Sequence, residues 1–467
     1  MKTFFKPATS EKNHELPQII AILIASLGAI SNGLLFSWTS PAIPQLVASN
    51  TTTLEEASYF TVISPISMAI TAPLFSMLID VIGRKNGVLL VAVPQLIAWI
   101  LTALAEDIWI YYLATFFSGI GNAGTFVTIP VYVCEIAEPK VRGTWGNVVS
   151  ISIYSGIFLI NVIGAYNDIK TTALICGCLP IIQVLLFSYM PESPYYLLMK
   201  GREDEASKAL TLLRWRNNVE KELLPLKADV ARQISESGTI KELFSIISNR
   251  KALIMCVGMR IAQQFSGLPA FEMYTQYLFQ QAGGDVSHEI SAMIVSGTLA
   301  LSVSLSAFVV ERFGRRPLML ISSLGCALIL TVETIYFSIS EFTRVDVSNF
   351  GWLPLVGMLA YTIVCATGLG ILPTLIAGEV FSASIKSKAG GITNATTAVC
   401  ILIIPKLFQL LTSNFGIFSP FCFFTICCYG SVIFSHFYVI ETKGKTLEEI
   451  QQELKGNKRH RNRSADC

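Results

Sequence analysis

The chain has 467 residues, of which 52% are hydrophobic and only 14% charged, with a mean hydropathy of +0.57. A soluble domain carries about 25% charge, so a water-covered surface is excluded, and a formal net charge of +2 leaves no basic footprint for nucleic acid. There is no phosphate loop, nucleophile elbow or metal-ligand cluster, and the chain holds four His; neither an enzyme, a cofactor nor a metal is expected.

The opening stretch "MKTFFKPATSEKNHEL" is polar and does not form a cleavable signal with its own apolar core. Twelve apolar runs follow, each of about the 20 residues a bilayer demands: 18–40, 57–78, 87–105, 109–133, 146–165, 171–190, 251–281, 289–310, 317–338, 350–377, 389–411 and 418–439. Helices are required because an apolar run in lipid must satisfy its own backbone hydrogen bonds. The expected fold class is therefore an all-α, multi-pass membrane protein with six helices in each of two bundles. The divisions are 1–190 for the first bundle, 191–250 for a polar linker, 251–440 for the second bundle and 441–467 for a tail.

In the linker, "EDEASKALTLLRW" spaces its apolar residues for short amphipathic helices, with acids early and Arg late. The Cys residues fall mostly inside apolar runs, so no disulfide framework is readable. If the termini and the even-to-odd loops share one side, all of the 34 Lys and Arg lie there except Lys170, Arg260, Arg344 and Lys406. The positive-inside rule then makes both termini cytoplasmic, in a plasma-membrane protein expected to be a monomer. "NTT" at Asn50 falls in the first outer loop, where a glycan can be added, whereas Asn394 lies in a span and Asn462 in the tail.

The charged turns come in pairs. "DVIGRKNG" from Asp80 has the shape of "ERFGRRPL" from Glu311; "CEIAEPKVRG" with Glu135 and Arg142 matches "GEVFSASIKS" with Glu379 and Lys386; "PESPYYL" with Glu192 matches "ETKGKTL" with Glu441. A shift of roughly 240 residues relates them, the mark of an internal duplication. Charged helix ends can act as a breakable latch, since exposed ion pairs contribute only about 0–1 kcal/mol each. The expected latch set is Asp80, Arg84, Glu135, Arg142, Glu192, Glu311, Arg315, Glu379, Lys386 and Glu441, with Gly83 and Gly314 permitting the tight turns.

These motifs, with "QQFSGLPA", stand in the order of the sugar porters of the major facilitator superfamily, which the chain resembles over nearly its whole length. "WTSP" and "PESPYYLL" are most similar to the insect facilitated trehalose transporters within it. The resemblance implies alternating access to a sugar site, a sugar as small-molecule partner and a lipid bilayer around the chain. It implies that Gln263 and Gln264 of helix seven meet sugar hydroxyls, a task suited to an amide that both donates and accepts. Gly267 and Pro269 interrupt that helix.

Elsewhere the expected pocket departs from the family pattern. Leu268–Pro269–Ala270 replace the usual Ile-Asn-Ala, Ser150 a helix five Gln, Leu299 a helix eight Asn, and Thr374 a helix ten Trp. Asn394 lies a turn from the helix eleven site, Thr115 replaces a cytoplasmic-network Arg, and Tyr195 replaces the Arg of the sixth-helix motif. Proton-driven members place an Asp in helix one where this chain has Thr39, and span one holds no carboxylate, so a passive facilitator is expected. Glu272, inside span seven, and Tyr274 are further candidates for substrate contact; Glu333 in span nine suits a structural role. Trehalose or a hexose is the expected cargo, a polyol or a non-transporting sensor the alternatives.

Overall fold

The computed structural model describes residues 15–138, 141, 145–216, 219–235, 240–283, 286–343, 348–445 and 447–455, and among these every regular element is helical. Helix one is α1 (Leu16–Phe36) continued after a break by α2 (Thr39–Ala48); a short α3 (Leu54–Ser58) leads into α4 (Phe60–Ile82). Then come α5 (Arg84–Leu104), α6 (Ile108–Ile136), α7 (Val148–Tyr166) and α8 (Ile169–Phe187). The linker forms α9 (Pro194–Met199), α10 (Glu203–Arg214), α11 (Glu220–Ser235) and α12 (Ile240–Ser245). The second set is α13 (Ile247–Phe265), α14 (Leu268–Ala282), α15 (His288–Phe313), α16 (Arg315–Phe342), α17 (Leu353–Thr367), α18 (Leu372–Val380), α19 (Ala383–Phe415) and α20 (Phe418–Tyr438), with α21 (Leu447–Lys455) beyond them.

Eleven stretches among the described residues are long and apolar enough to cross a membrane. The twelfth expected span, 251–281, is present in two pieces. α13 carries Arg250, Lys251 and Arg260, and α14 has only 15 residues, so neither alone has the length and composition of a span. The linker is helical as its amphipathic pattern requires, with Glu203, Asp204 and Glu205 in the first turn of α10 and Arg214 in its last. Such charges complement the helix dipole.

The described chain forms two compact units. The first runs to Ile234 and includes Ala270–Ala300; the second comprises Ser235–Pro269 and the residues from Leu301 onward. This grouping does not follow a cut at residue 250, because it passes through helix seven: α13 belongs to the second unit and α14 to the first.

In the first unit α5 packs on α6 and α8, α4 on α6, and α1 on α7. Ile22, Ala25, Ala29, Ile129, Tyr132 and Phe187 are core residues there. α1 and α7 cross at Gly33 and Gly156. A Cβ on Gly33 would lie 2.0 Å from the Ile153 carbonyl oxygen, and one on Gly156 2.2 Å from that of Ile30. Small residues let membrane helices approach at backbone distance. In the second unit α16 packs on α20 and α17, and α13 on α19. Outward faces are apolar: Ile70, Leu74, Met77 and Val81 form an exposed stripe on α4 at helical spacing, a surface suited to acyl chains rather than water.

Candidate functional site

Each unit carries a charge network, and the two are built alike. In the first, Gly83 adopts φ +97° and caps the start of α5. Arg84 turns inward. Its Nε lies 3.0 Å from both Glu135 oxygens, its Nη1 3.0 Å from Asp80 Oδ1 and 3.2 Å from the Ile79 carbonyl oxygen. The guanidinium also sits 5.1 Å above the Tyr196 ring, a cation–π contact. Ser193 donates its hydroxyl to Glu135.

In the second unit Gly314 adopts φ +85° before α16. Arg315 Nη2 lies 2.9 Å from Glu379 Oε1, its Nη1 donates to the Val310 carbonyl oxygen, and Thr442 donates its hydroxyl to Glu379. Arg84, Glu135 and Ser193 thus correspond, role for role, to Arg315, Glu379 and Thr442.

Glu192 and Glu441 act differently from the ion-pair members the sequence suggests. Glu192 Oε1 accepts the backbone N–H groups of Arg84 and Lys85 at 3.0 and 2.9 Å. Glu441 accepts those of Arg315 and Arg316 at 3.0 and 3.1 Å. Each carboxylate caps a helix whose first N–H groups have no intrahelical partner and whose positive end attracts an anion. A Cβ on Gly83 would stand 2.2 Å from Glu192 Oε2, so glycine serves both the left-handed backbone and the cap. Burial pushes the Glu441 carboxyl up, but the N–H groups of Arg315, Lys443 and Arg316 outweigh it and hold the group below 4.5. Lys386 donates to the Gly378 carbonyl oxygen at 2.9 Å rather than to an acid. Arg142 lies outside the described residues, as does the side chain of Glu311 and the whole of Asn462.

The linker is anchored to the same end of the first unit by a group the motifs did not reveal. Arg214, 3% exposed, pairs with Glu138 at 2.8 Å and Glu222 at 2.6 Å and donates to the Ile136 carbonyl oxygen at the end of α6.

In the second unit two interrupted helices meet. Helix seven breaks at Ser266–Gly267, and helix ten at 368–371 between α17 and α18. Gln263 bridges them: its Nε2 donates to the Gly370 carbonyl oxygen at 2.7 Å, while its Oε1 accepts from Arg260 at 3.1 Å and Gln264 at 3.3 Å. The Tyr361 hydroxyl bonds Ser266 from the same helix. Gln263 thus commits its oxygen and one of its two N–H donors to the protein. Gln264, 6% exposed, has no hydrogen bond on Oε1 from the described residues. Thr374 in α18 and Asn394 in α19 are exposed. Glu333 is fully buried in α16 against Gly357, where a Cβ would lie 1.6 Å from its Oε1.

Glu272 and Tyr274 follow the glutamines closely in sequence but lie in α14, in the first unit. Tyr274 is 1% exposed, within hydrogen-bond reach of Thr61 and 6.3 Å from the Tyr277 ring. Glu272 is 9% exposed, and Ser150 at the start of α7 is exposed.

A family profile described as "Sugar (and other) transporter" matches residues 8–454. "Facilitated trehalose transporter Tret1" of Drosophila mojavensis is 33% identical over 450 residues, covering 95% of this chain and 52% of that protein. The protein of the same name from Polypedilum vanderplanki is 31% identical over 453 residues, covering 95% of this chain and 89% of that one. The chain spans about half the length of the first curated relatives it matches. Among solved structures, the inward open xylose transporter XylE of E. coli superimposes with a TM-score of 0.78 at 19% identity, over 93% of this chain and 99% of that one. The fold is thus that of the major facilitator superfamily.

Proposed function

Because the chain belongs to the Sugar (and other) transporter family, we propose that it is a facilitative carrier of a neutral sugar, trehalose or a hexose, working by alternating access. The observation that carries this reading is the Gln263–Gly370 bridge between two broken helices. It leaves Gln264 with an uncommitted acceptor beside backbone that has left the helical pattern. A polyhydroxyl solute supplies the donors such a site lacks, with no charge to neutralise. The printed names of the curated relatives support trehalose as the first substrate to test. Gln263, Gln264, Thr374 and Asn394 from the second unit, and Ser150, Glu272 and Tyr274 from the first, are the substrate-facing set of this reading. The charge networks are its latch, with both termini cytoplasmic, in the plasma membrane.

The cargo moves without a proton. Thr39 cannot titrate near neutral pH; its hydroxyl donates to the Met273 carbonyl oxygen at 3.0 Å. Glu441 of the latch adds no pH dependence near neutrality either. A carboxyl held low, as Glu441 is, contributes stability that is fully present above 4.5 and is lost only as pH falls through its lower folded value. Labelled trehalose, glucose, fructose and a polyol, presented to sugar-transport-deficient cells, test the reading. Saturable sugar flux is expected, unchanged by an uncoupler and flat from roughly pH 5.5 to 8. Flux abolished by uncoupler removes the passive mechanism, and binding without flux favours a sensor.

Asn50 gives a test of orientation. It is exposed, at φ 55° in the turn after α2. A glycan there places that turn outside. Asn50→Gln is expected to abolish the shift in gel mobility that glycosidase produces in the parent chain.

A further inference from the structure

We propose that Ser37, Thr39 and Ser40 form a hydroxyl clamp that holds α14, the second segment of helix seven, in the first unit. Tyr274 adopts φ −117° and ψ 20°, off the helix, within α14. A kink of this kind strips neighbouring carbonyl oxygens and N–H groups of their i to i+4 partners, and a buried backbone group left so is costly.

Around the kink, side-chain hydroxyls bond the backbone of α14. Thr275 donates to the Phe271 carbonyl oxygen within α14. Ser37 donates to that of Glu272 at 2.7 Å, and Thr39 to that of Met273 at 3.0 Å. The Gln276 N–H donates to Ser40 Oγ at 3.4 Å, and Ser40 in turn donates to Asn161 Oδ1 on α7 at 2.8 Å.

The three hydroxyls come from one short stretch, "SWTS", at which helix one is itself interrupted between α1 and α2. Ser37 and Ser40 are 0% exposed and Thr39 3%. Two helix breaks therefore meet and complete each other, and water has no access to substitute for either. Ser37, Thr39 and Ser40 are positioning residues: their hydrogen bonds reach the backbone of α14 and Asn161, and they act through the placement of α14, which carries Glu272 and Tyr274. The clamp deepens the transport reading, since helix seven is divided between the units and α14 is its part in the first. Its test needs no substrate.

Gln276 is 2% exposed, and its side-chain Nε2 has no partner among the described residues, so Gln276→Cys reports when α14 leaves its seat. Purified full-length protein in detergent is labelled with a water-soluble maleimide, against the same protein lacking the new thiol. Adding Ser37→Ala and Thr39→Val is expected to raise the labelling rate about tenfold, the effect of removing two buried hydrogen bonds. Thr39→Ser keeps the donor and is expected to label at the parent rate. Cys176, buried on α8 at 2% exposed, reports general loosening.

Equal rates with and without the hydroxyls overturn the clamp, and so does an equal rise at Cys176. If the double variant fails to fold, Thr39→Val alone, read by hydrogen exchange of the α14 amides, gives the same decision. Absence of sugar flux in the parent chain would remove the transport reading and leave the labelling result standing.

Discussion

Arg84→Ala is expected to destabilise the first unit by about 3–5 kcal/mol, the usual cost of breaking a buried ion pair from one side, and to remove most transport. The side chains of Arg84 and Glu135 are 6% and 12% exposed. Removing the guanidinium leaves the Glu135 carboxylate with the Ser193 hydroxyl as its remaining hydrogen-bond donor among the described side chains. Asp80, 58% exposed, loses little, since water solvates it.

The damage should come from the stranded charge rather than the missing cation. Arg84→Ala combined with Glu135→Gln is therefore expected to be more stable than Arg84→Ala alone. The corresponding pair in the second unit, Arg315 and Glu379, is 14% and 26% exposed. Arg315→Ala is expected to cost clearly less. Thermal unfolding midpoints of the purified variants decide the order. Equal losses at the two arginines, or a double variant no better than the single, would show that the guanidinium acts by some route other than charge compensation.

The sequence made the repeated charge pattern legible because acids and bases at fixed spacing survive in the letters. Arg84 meets Asp80 of its own motif and Glu135 of another, and Arg315 meets Glu379 of another, so the pairing itself crosses the motifs. The capping role of Glu192 and Glu441 was not legible, because their partners are backbone N–H groups that become available only once Gly83 and Gly314 have turned the chain.

The break in helix seven was announced by Gly267 and Pro269. Its consequence was not. Gln263, Gln264, Glu272 and Tyr274 read as candidates on one span, yet the break sends its two ends into different units. Helix one gave less warning still: Ser37 and Trp38 are compatible with a helix, and only the carbonyls beside the Tyr274 kink explain why hydroxyls stand there. Hydrophobic length located the spans, and the polar exceptions inside them depend on partners distant in sequence.

Gln263 and Gln264 are adjacent and chemically identical, yet their substitutions are expected to act on different kinetic constants. Gln264→Ala removes an amide whose Oε1 has no partner among the described residues. The loss falls on the substrate, so KM should rise by about tenfold, the effect of one or two hydrogen bonds to a neutral hydroxyl, with the maximal rate nearly kept.

Gln263→Ala removes the bridge to Gly370 and one acceptor of Arg260. Two interrupted helices lose their mutual brace, so the maximal rate and the thermal midpoint should fall while KM changes less. Gln263→Glu is a sharper probe. It keeps an acceptor for Arg260 and abolishes the donor to Gly370, so it should preserve one contact and break the other. Initial rates against sugar concentration, normalised to protein at the surface, separate the two. A KM effect at Gln263 and none at Gln264 would reverse the assignment, and make Gln263 the residue that meets the sugar.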